Sequence, residues 1–370
     1  MDEDDATQAS ETFRRVTRRF GEPLQRDLMS EPTRAAYDEV ANEANDLIQQ
    51  ARNALPGLPQ IHFDFILSSN VNAVAFAAEG EYFIGINTGT LFMLRLVIGR
   101  MLSDSRAFPS IGDPALESSD LPPFTHYRPH ADSMAEENEL LFPNDPVRRS
   151  FADFVQTQAI LFFIGHEIAH ISRGHVAYLR ERRQVAQSEE ISSVPITDGE
   201  LKIERQSIEQ DADRRSIQAR VHSLKNTHRN PAYAPPPWAM DDGRFLRLFQ
   251  DWAISMSVAF RLYGDVRFTG LSLDNAAYPP LALRRLYGEM VAAREVEQAM
   301  GIGLQDGLMD ALNGARNETE EAFALILGEP ISMTGFLDAM SPAGREHAFK
   351  LQQYWNERMV ERLKPFSYEF

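Results

Sequence analysis

The chain reads as an α+β fold, predominantly helical around one small antiparallel sheet, and three observations lead there. Long segments carry apolar residues at helical spacing, while period-two alternation is confined to the stretch from Ile61 to Ile86. Between the sheet and a helical C-terminal half, an apolar run closes on the string His166-Glu-Ile-Ala-His170. The expected organisation is an acidic tail and helix over 1–56, a main domain over 57–300 with an acidic insertion at 104–147, and a helical extension over 301–370.

Composition bounds the function. The 370 residues are 43% apolar and 25% charged, ordinary for a globular protein that buries a full core. The net charge of −17, from 54 acidic against 37 basic residues, repels a phosphate backbone and anionic lipid, so neither nucleic acid nor membrane is an expected partner. The absence of cysteine excludes disulfides, thiolate zinc ligands and cysteine catalysis. Met1-Asp-Glu-Asp-Asp5 is the opposite of a signal peptide, and the apolar runs fall short of the ~20 residues a bilayer needs. These features predict a soluble, cytoplasmic protein.

The elements follow in order. The acidic start is expected to be disordered. A helix over 34–55 carries Tyr37, Val40, Ala44, Leu47, Ile48 and Ala51, and Pro56, Gly57 and Pro59 end it. A strand follows with Ile61, Phe63, Phe65 and Leu67 on one face, which leaves His62 on the other as a surface histidine. Strands over 71–77 and 82–86 flank Glu79-Gly80-Glu81, a hairpin turn, and an apolar helix covers 90–102. Residues 104–147 hold seven prolines and many acids, the composition of a loop or lid, with His126 and His130 as solvated residues in it. One helix is expected from Val147 to Ala186 and another from Glu200 to Lys225, with more over 245–262, 280–300, 304–327 and 343–363.

Helical positions four apart share a face, so His166 and His170 can reach one metal ion with Glu167 beside them. The bland reading is two core histidines satisfied by hydrogen bonds and a surface glutamate. Against it stands the preceding segment from Gln158 to Gly165, apolar nearly all round, where uncoordinated histidines would be costly to bury. A zinc ion here would rest on His, Asp and Glu alone, which suits a catalytic site with an open position. His175, nine positions after His166, would lie about half a turn away on a continuous helix and face elsewhere. The third ligand is sought instead on the next helix. There Glu209 and Asp213 lie four apart beside the apolar stripe of Ile208, Ala212 and Ala219, with Glu209 as ligand and Asp213 as acceptor for a ligand imidazole. Asp211 and Glu204 are the alternatives. A solvated acidic face paired with Arg205, Arg214 and Arg215 is the bland reading of the same segment.

These segments resemble a known family, the gluzincin zinc metallopeptidases typified by HtpX and the CAAX prenyl endopeptidases. The string from His166 to His175 is similar to the family's HExxHxxxxH, Glu209-Gln-Asp-Ala-Asp213 to its ExxAD, and Asn72-Ala-Val-Ala75 to its NAxA edge-strand segment. Tyr278-Pro-Pro-Leu-Ala-Leu-Arg284 resembles its HPxxxxR motif, with tyrosine where histidine is usual. The matches span about 61–91 and 151–286, without that family's membrane helices. A shorter similarity, in the HEIAH string alone, is to phage-exclusion peptidases of the Lit type.

The resemblance implies a zincin-like core with one Zn2+ on His166, His170 and Glu209, and a metalloendopeptidase acting on a protein or peptide. Glu167 would be the general base, Tyr278 or Arg284 would assist at the carbonyl oxygen, and Asn72, Ala73, Val74 and Ala75 would form an open edge for an extended substrate. Tyr278 leaves two expectations open, assistance or latency relieved by an activating partner. The alternative of a different class is a catalytically silent regulatory or partner-binding protein on the same scaffold.

Overall fold

The computed structural model describes residues 3–124, 140–183, 187–189, 199–239, 245–263, 273 and 278–369, and the molecule is α+β with helix dominant. His126 and His130 lie outside the described residues.

The strands are β1 (Glu22–Pro23), β2 (Ile61–Leu67), β3 (Ala73–Ala78), β4 (Glu81–Asn87) and β5 (Gln187–Glu189), in the sheet order β1-β2-β4-β3-β5. The expectation of an antiparallel sheet is corrected here: β3 and β4 form the expected antiparallel hairpin, but β2 runs parallel to β4. Glu79 and Gly80 both take positive φ, the two-residue turn whose twist suits a hairpin. The crossover then lies in residues 68–72, which pass over the start of helix α3 (Thr88–Leu102). Gly89 donates its N–H to the Ser68 carbonyl, and a Cβ there would stand 2.2 Å from the Ser69 oxygen. Thr90 Oγ1 donates to the Asn72 carbonyl and accepts from the Asn72 N–H. These ties place β4, not β3, beside β2.

Both sheet faces are covered. Helix α2 (Glu31–Ala54) and helix α4 (Pro146–Ser172) lie on the face of Phe65, Ala75 and Ile84. The acidic start is not disordered: residues Glu3–Thr17 form helix α1, whose Ala9 and Phe13 pack on Ile66, Val74, Phe76 and Phe83. His62 is accordingly not a surface residue. It is half-buried, stacks on Phe83 at 5.3 Å, and burial lowers its pKa against the raising effect of Glu81.

Helix α4 starts at Asp145, whose carboxylate accepts the Arg148 N–H, with Pro146 in the first turn where no donor is needed. The Arg148 guanidinium is fully buried and donates to the carbonyls of Leu102, Asp104, Ala107, Phe108 and Ile111, which holds the irregular start of the 104–147 segment against the core. Glu117 accepts from the N–H groups of Asn144 and Asp145, tying the two ends of that segment together.

The expected single helix from Val147 to Ala186 is broken. After Ser172 the chain turns at Gly174, with φ of +79°, and restarts as α5 (His175–Arg183). Helix α6 (Gly199–Arg229) runs beside α4, α7 (Phe245–Leu262) and α8 (Leu281–Met300) pack against the pair, and α9 (Met309–Leu327) packs on α7. Helices α10 (Thr334–Met340), α11 (Pro342–Tyr354) and α12 (Val360–Leu363) close the chain. Phe323 and Ile326 join the principal core, whereas Leu337 is 64% exposed and Met340 40%. None of the described helices is long and apolar enough to cross a membrane.

Candidate metal centre

Three helices meet at the site. Helix α4 supplies His166, Glu167 and His170, α6 supplies Glu209 and Asp213, and α8 supplies Arg284. Each helix has an apolar reason to be there: Ile164 and Ile168 on α4, Ile208 and Ala212 on α6 and Leu283 on α8 are all buried.

His166 Nε2 stands 3.0 Å from His170 Nε2 and 3.4 Å from Glu209 Oε2, and His170 Nε2 is 3.8 Å from Glu209 Oε1. Ligand atoms of all three residues lie within 4.8 Å of one another, a group that could hold a metal ion. The separations bracket the roughly 3.3 Å edge of a tetrahedron with bonds of about 2.0–2.1 Å. All three side chains are fully buried, and neither Glu209 oxygen accepts a hydrogen bond from a described residue. The Arg284 guanidinium comes no nearer to Glu209 Oε2 than 4.0 Å, and a buried carboxylate that accepts no hydrogen bond is costly, so the donor set fits a metal ion closer in.

Around this group the charges are ordered. His166 Nδ1 is 3.0 Å from Asp213 Oδ1, and Arg284 donates to both Asp213 oxygens at 2.7 Å. Burial raises the Asp213 pKa, but the Arg284 charge and the hydrogen bonds from Arg284 and His166 outweigh it and hold the group below its ordinary range. Burial, with His166, His175, Arg205 and Arg284 nearby, lowers the His170 pKa well below its usual value. His170 is therefore neutral at neutral pH, as a ligand must be.

His175 is the residue that helical extrapolation misplaced. The break at Gly174 swings it back, so that its Nδ1 lies 3.1 Å from His170 Nδ1 and its Nε2 lies 3.3 Å from Asp211 Oδ2. It stands behind a candidate ligand rather than facing elsewhere. Burial lowers its pKa, opposed by the Asp211 hydrogen bond. Asp211 is held low by His175, Arg214 and Arg173 against the raising effect of burial. Gly174 in an otherwise helix-forming string was the available signal, since glycine favours the left-handed residue that ends a helix.

The solvated-face reading of residues 204–215 does not hold, because Glu204, Glu209, Asp211 and Asp213 are all buried. Glu204 accepts from the Tyr178 hydroxyl at 2.9 Å and from Arg362, and Asp211 pairs with Arg173 and Arg214, so both alternative ligands are engaged elsewhere. Tyr278 sits beside α6, its hydroxyl accepting from Arg205 at 3.0 Å, one helical turn before Glu209. Arg205 and the His175–Asp211 pair are the site residues that sequence reasoning missed.

The expected open edge at Asn72, Ala73, Val74 and Ala75 is corrected in part. Strand β5 pairs antiparallel with β3 from Val74 to Phe76, while Asn72 and Ala73 lie outside that pairing. The difference was not readable because three residues of β5 in a polar linker carry no strand pattern.

No family model, no curated protein and no solved structure matches the chain.

Proposed function

We propose that the chain is a zinc-dependent metallopeptidase that cleaves peptide bonds in a cytoplasmic protein substrate, with a zincin-like core of the kind found in the HtpX and CAAX prenyl endopeptidases it resembles. The observation that carries this reading is the convergence of His166 and His170, on the helix that also bears Glu167, with a buried Glu209 of α6 whose oxygens accept no hydrogen bond from a described residue. The two-histidine, one-carboxylate set favours zinc in a catalytic rather than a structural role.

The chemistry zinc supplies in such a site is acidification of water and polarisation of a carbonyl. The chain's own groups do the rest. Asp213 keeps the His166 proton on Nδ1 and leaves Nε2 as the donor atom, and Arg284 holds Asp213 in place. His170 presents Nε2 in the same way when its Nδ1–H points at His175 Nδ1, with the His175 Nε2–H toward Asp211. Glu167 accepts the proton of the attacking water and returns it to the amine nitrogen that leaves.

His166, Glu167, His170 and Glu209 are all fully buried, which supports a latent form that a partner opens. Strand β5 on the flank of β3 supports the same view, since an extended substrate adding there would have to displace it. The same enclosure favours a second reading, a catalytically silent protein that keeps the metal as scaffold. Metal analysis and fragment profiling of cells expressing each form test the proposal. Wild type and Glu167→Gln should each hold about one zinc per chain, His166→Ala should hold almost none, and only wild type should generate new fragments. Full metal in His166→Ala would place the ion elsewhere, and wild-type cleavage by Glu167→Gln would remove the assigned base.

A further inference from the structure

Helices α2 and α6 flank α4 and leave between them a groove of about 650 Å³, within the size range of small-molecule sites. Its floor is a flank of α4 formed by Gly165, Ile168, Ala169 and Ser172, and Leu47 and Ala51 of α2, with Leu55 directly after it, make one wall apolar. Arg220 of α6 lines the groove and is only 7% exposed.

Arg220 is unusual among the arginines that serve the core. Its one hydrogen bond runs from Nη2 to the Gln158 amide oxygen at 2.9 Å, its Nε–H has no partner, and it forms no ion pair among the described residues. Burial pushes its pKa down to about 10, with the Glu43 charge opposing from farther off, so the group stays a cation at neutral pH. Of the other charged groups of the groove, Arg215 lies 3.0 Å from Glu369, and Glu295 accepts a hydrogen bond from the neutral Gln218 amide at 2.7 Å. A buried guanidinium whose Nε–H lacks a partner and which forms no ion pair among the described residues is costly, and its planar fork suits an oxyanion with two acceptor oxygens.

We propose that the groove binds a small amphipathic anion, whose carboxylate or phosphate meets Arg220 while its hydrocarbon body lies along Leu47, Ala51 and Ile168. The apolar wall sets the body and the unmatched cation sets the head. This site stands apart from the metal reading, because its floor residues lie on a different flank of α4 from His166 and His170 and none of the proposed ligands lines it.

Calorimetric titration of the full chain with octanoate, octyl phosphate and the neutral octanamide tests this. At least one of the two anions should bind at a single site about tenfold or more tightly than octanamide, the loss expected when a charge-assisted pair is removed. Which anion binds separates carboxylate from phosphate recognition. Arg220→Met, which keeps the aliphatic stem, should erase the preference, and Arg220→Lys should retain only part of it. Ala51→Phe, which fills the groove from the α2 side, should weaken all three ligands while its far-UV dichroism matches wild type, so the test survives if Arg220→Met fails to fold. Absence of saturable anion binding, equal binding of octanamide, or unchanged binding by Arg220→Met or Ala51→Phe would each overturn the proposal; the first is expected if the exposed Glu43 simply pairs with Arg220 in solution.

Discussion

At His166 the two ring nitrogens have separate tasks, and Asp213 decides which does which. Nε2 faces His170 and Glu209, and Nδ1 faces a carboxylate that Arg284 clamps through two hydrogen bonds. His170 is held differently, through a second imidazole, His175, that rests on Asp211. Carboxylates behind ligand imidazoles fix the tautomer and raise its basicity, and losing one costs about 10–100-fold in metal affinity. On the proposed function, Asp213→Asn should therefore weaken zinc binding by about that factor, measured by competition with a chromogenic chelator. An affinity equal to wild type would mean that Asp213 only neutralises Arg284. The analogous variant His175→Ala should also weaken binding, and His175→Asn, which returns an acceptor near the Nδ1 position, should recover part of the loss.

Helix α1 shows how an element with an acidic, unpromising start is held by a few apolar contacts. Phe13 is 2% exposed and its ring lies 5.9 Å from that of Phe76 and 6.4 Å from that of Phe83. Phe13→Ala should destabilise the fold by roughly 3–5 kcal/mol, read as a shift in the urea midpoint. A loss below about 1 kcal/mol would mean that α1 leaves the sheet at little cost. Helix α4 makes the complementary point at its C-terminal end. A Cβ on Gly174 would stand 2.5 Å from the Phe366 carbonyl carbon, so the C-terminal tail fills the space that glycine leaves. The same tail satisfies α4: the Ser172 carbonyl accepts the Tyr368 N–H at 2.9 Å, and Glu369 accepts from Ser172 Oγ at 2.7 Å.

For the molecule as a whole, one buried acid links stability to pH. Asp251 of α7 accepts from the Trp238 indole at 2.9 Å and lies 3.1 Å from Arg247 Nε. Burial lifts its pKa to about 6, aided by Glu318 and opposed by Arg247 and Trp238. A folded pKa above the unfolded value means that the native state binds the extra proton. Its contribution is thus fully present below about pH 4 and is lost as pH rises through about 6, an amount of about 3 kcal/mol by pH 7. Asp251→Asn removes that dependence. Its stability relative to wild type should rise by up to about 3 kcal/mol between pH 4 and pH 7, followed by chemical denaturation at each pH. A difference independent of pH would show that Asp251 ionises normally in the folded chain.

Local pattern was enough wherever one periodicity ruled. The spacing of Tyr37, Val40 and Ala44 marked α2, the alternation from Ile61 marked β2, and Glu79-Gly80 marked the hairpin, because each is set by backbone geometry over a few residues. The pairing of His166 and His170 on one helical face was legible for the same reason, and Glu209 and Asp213 could be named from their spacing beside an apolar stripe. Other features depended on residues far apart in the chain. The parallel placement of β2 beside β4 rests on contacts between residues 68–72 and the start of α3, the burial of α1 on the sheet, and the return of His175 on a turn packed against Phe366. Sequence determined which side chains share a helix face. Only tertiary structure decided which faces meet, because that depends on packing and hydrogen bonds between segments whose separation no local period encodes.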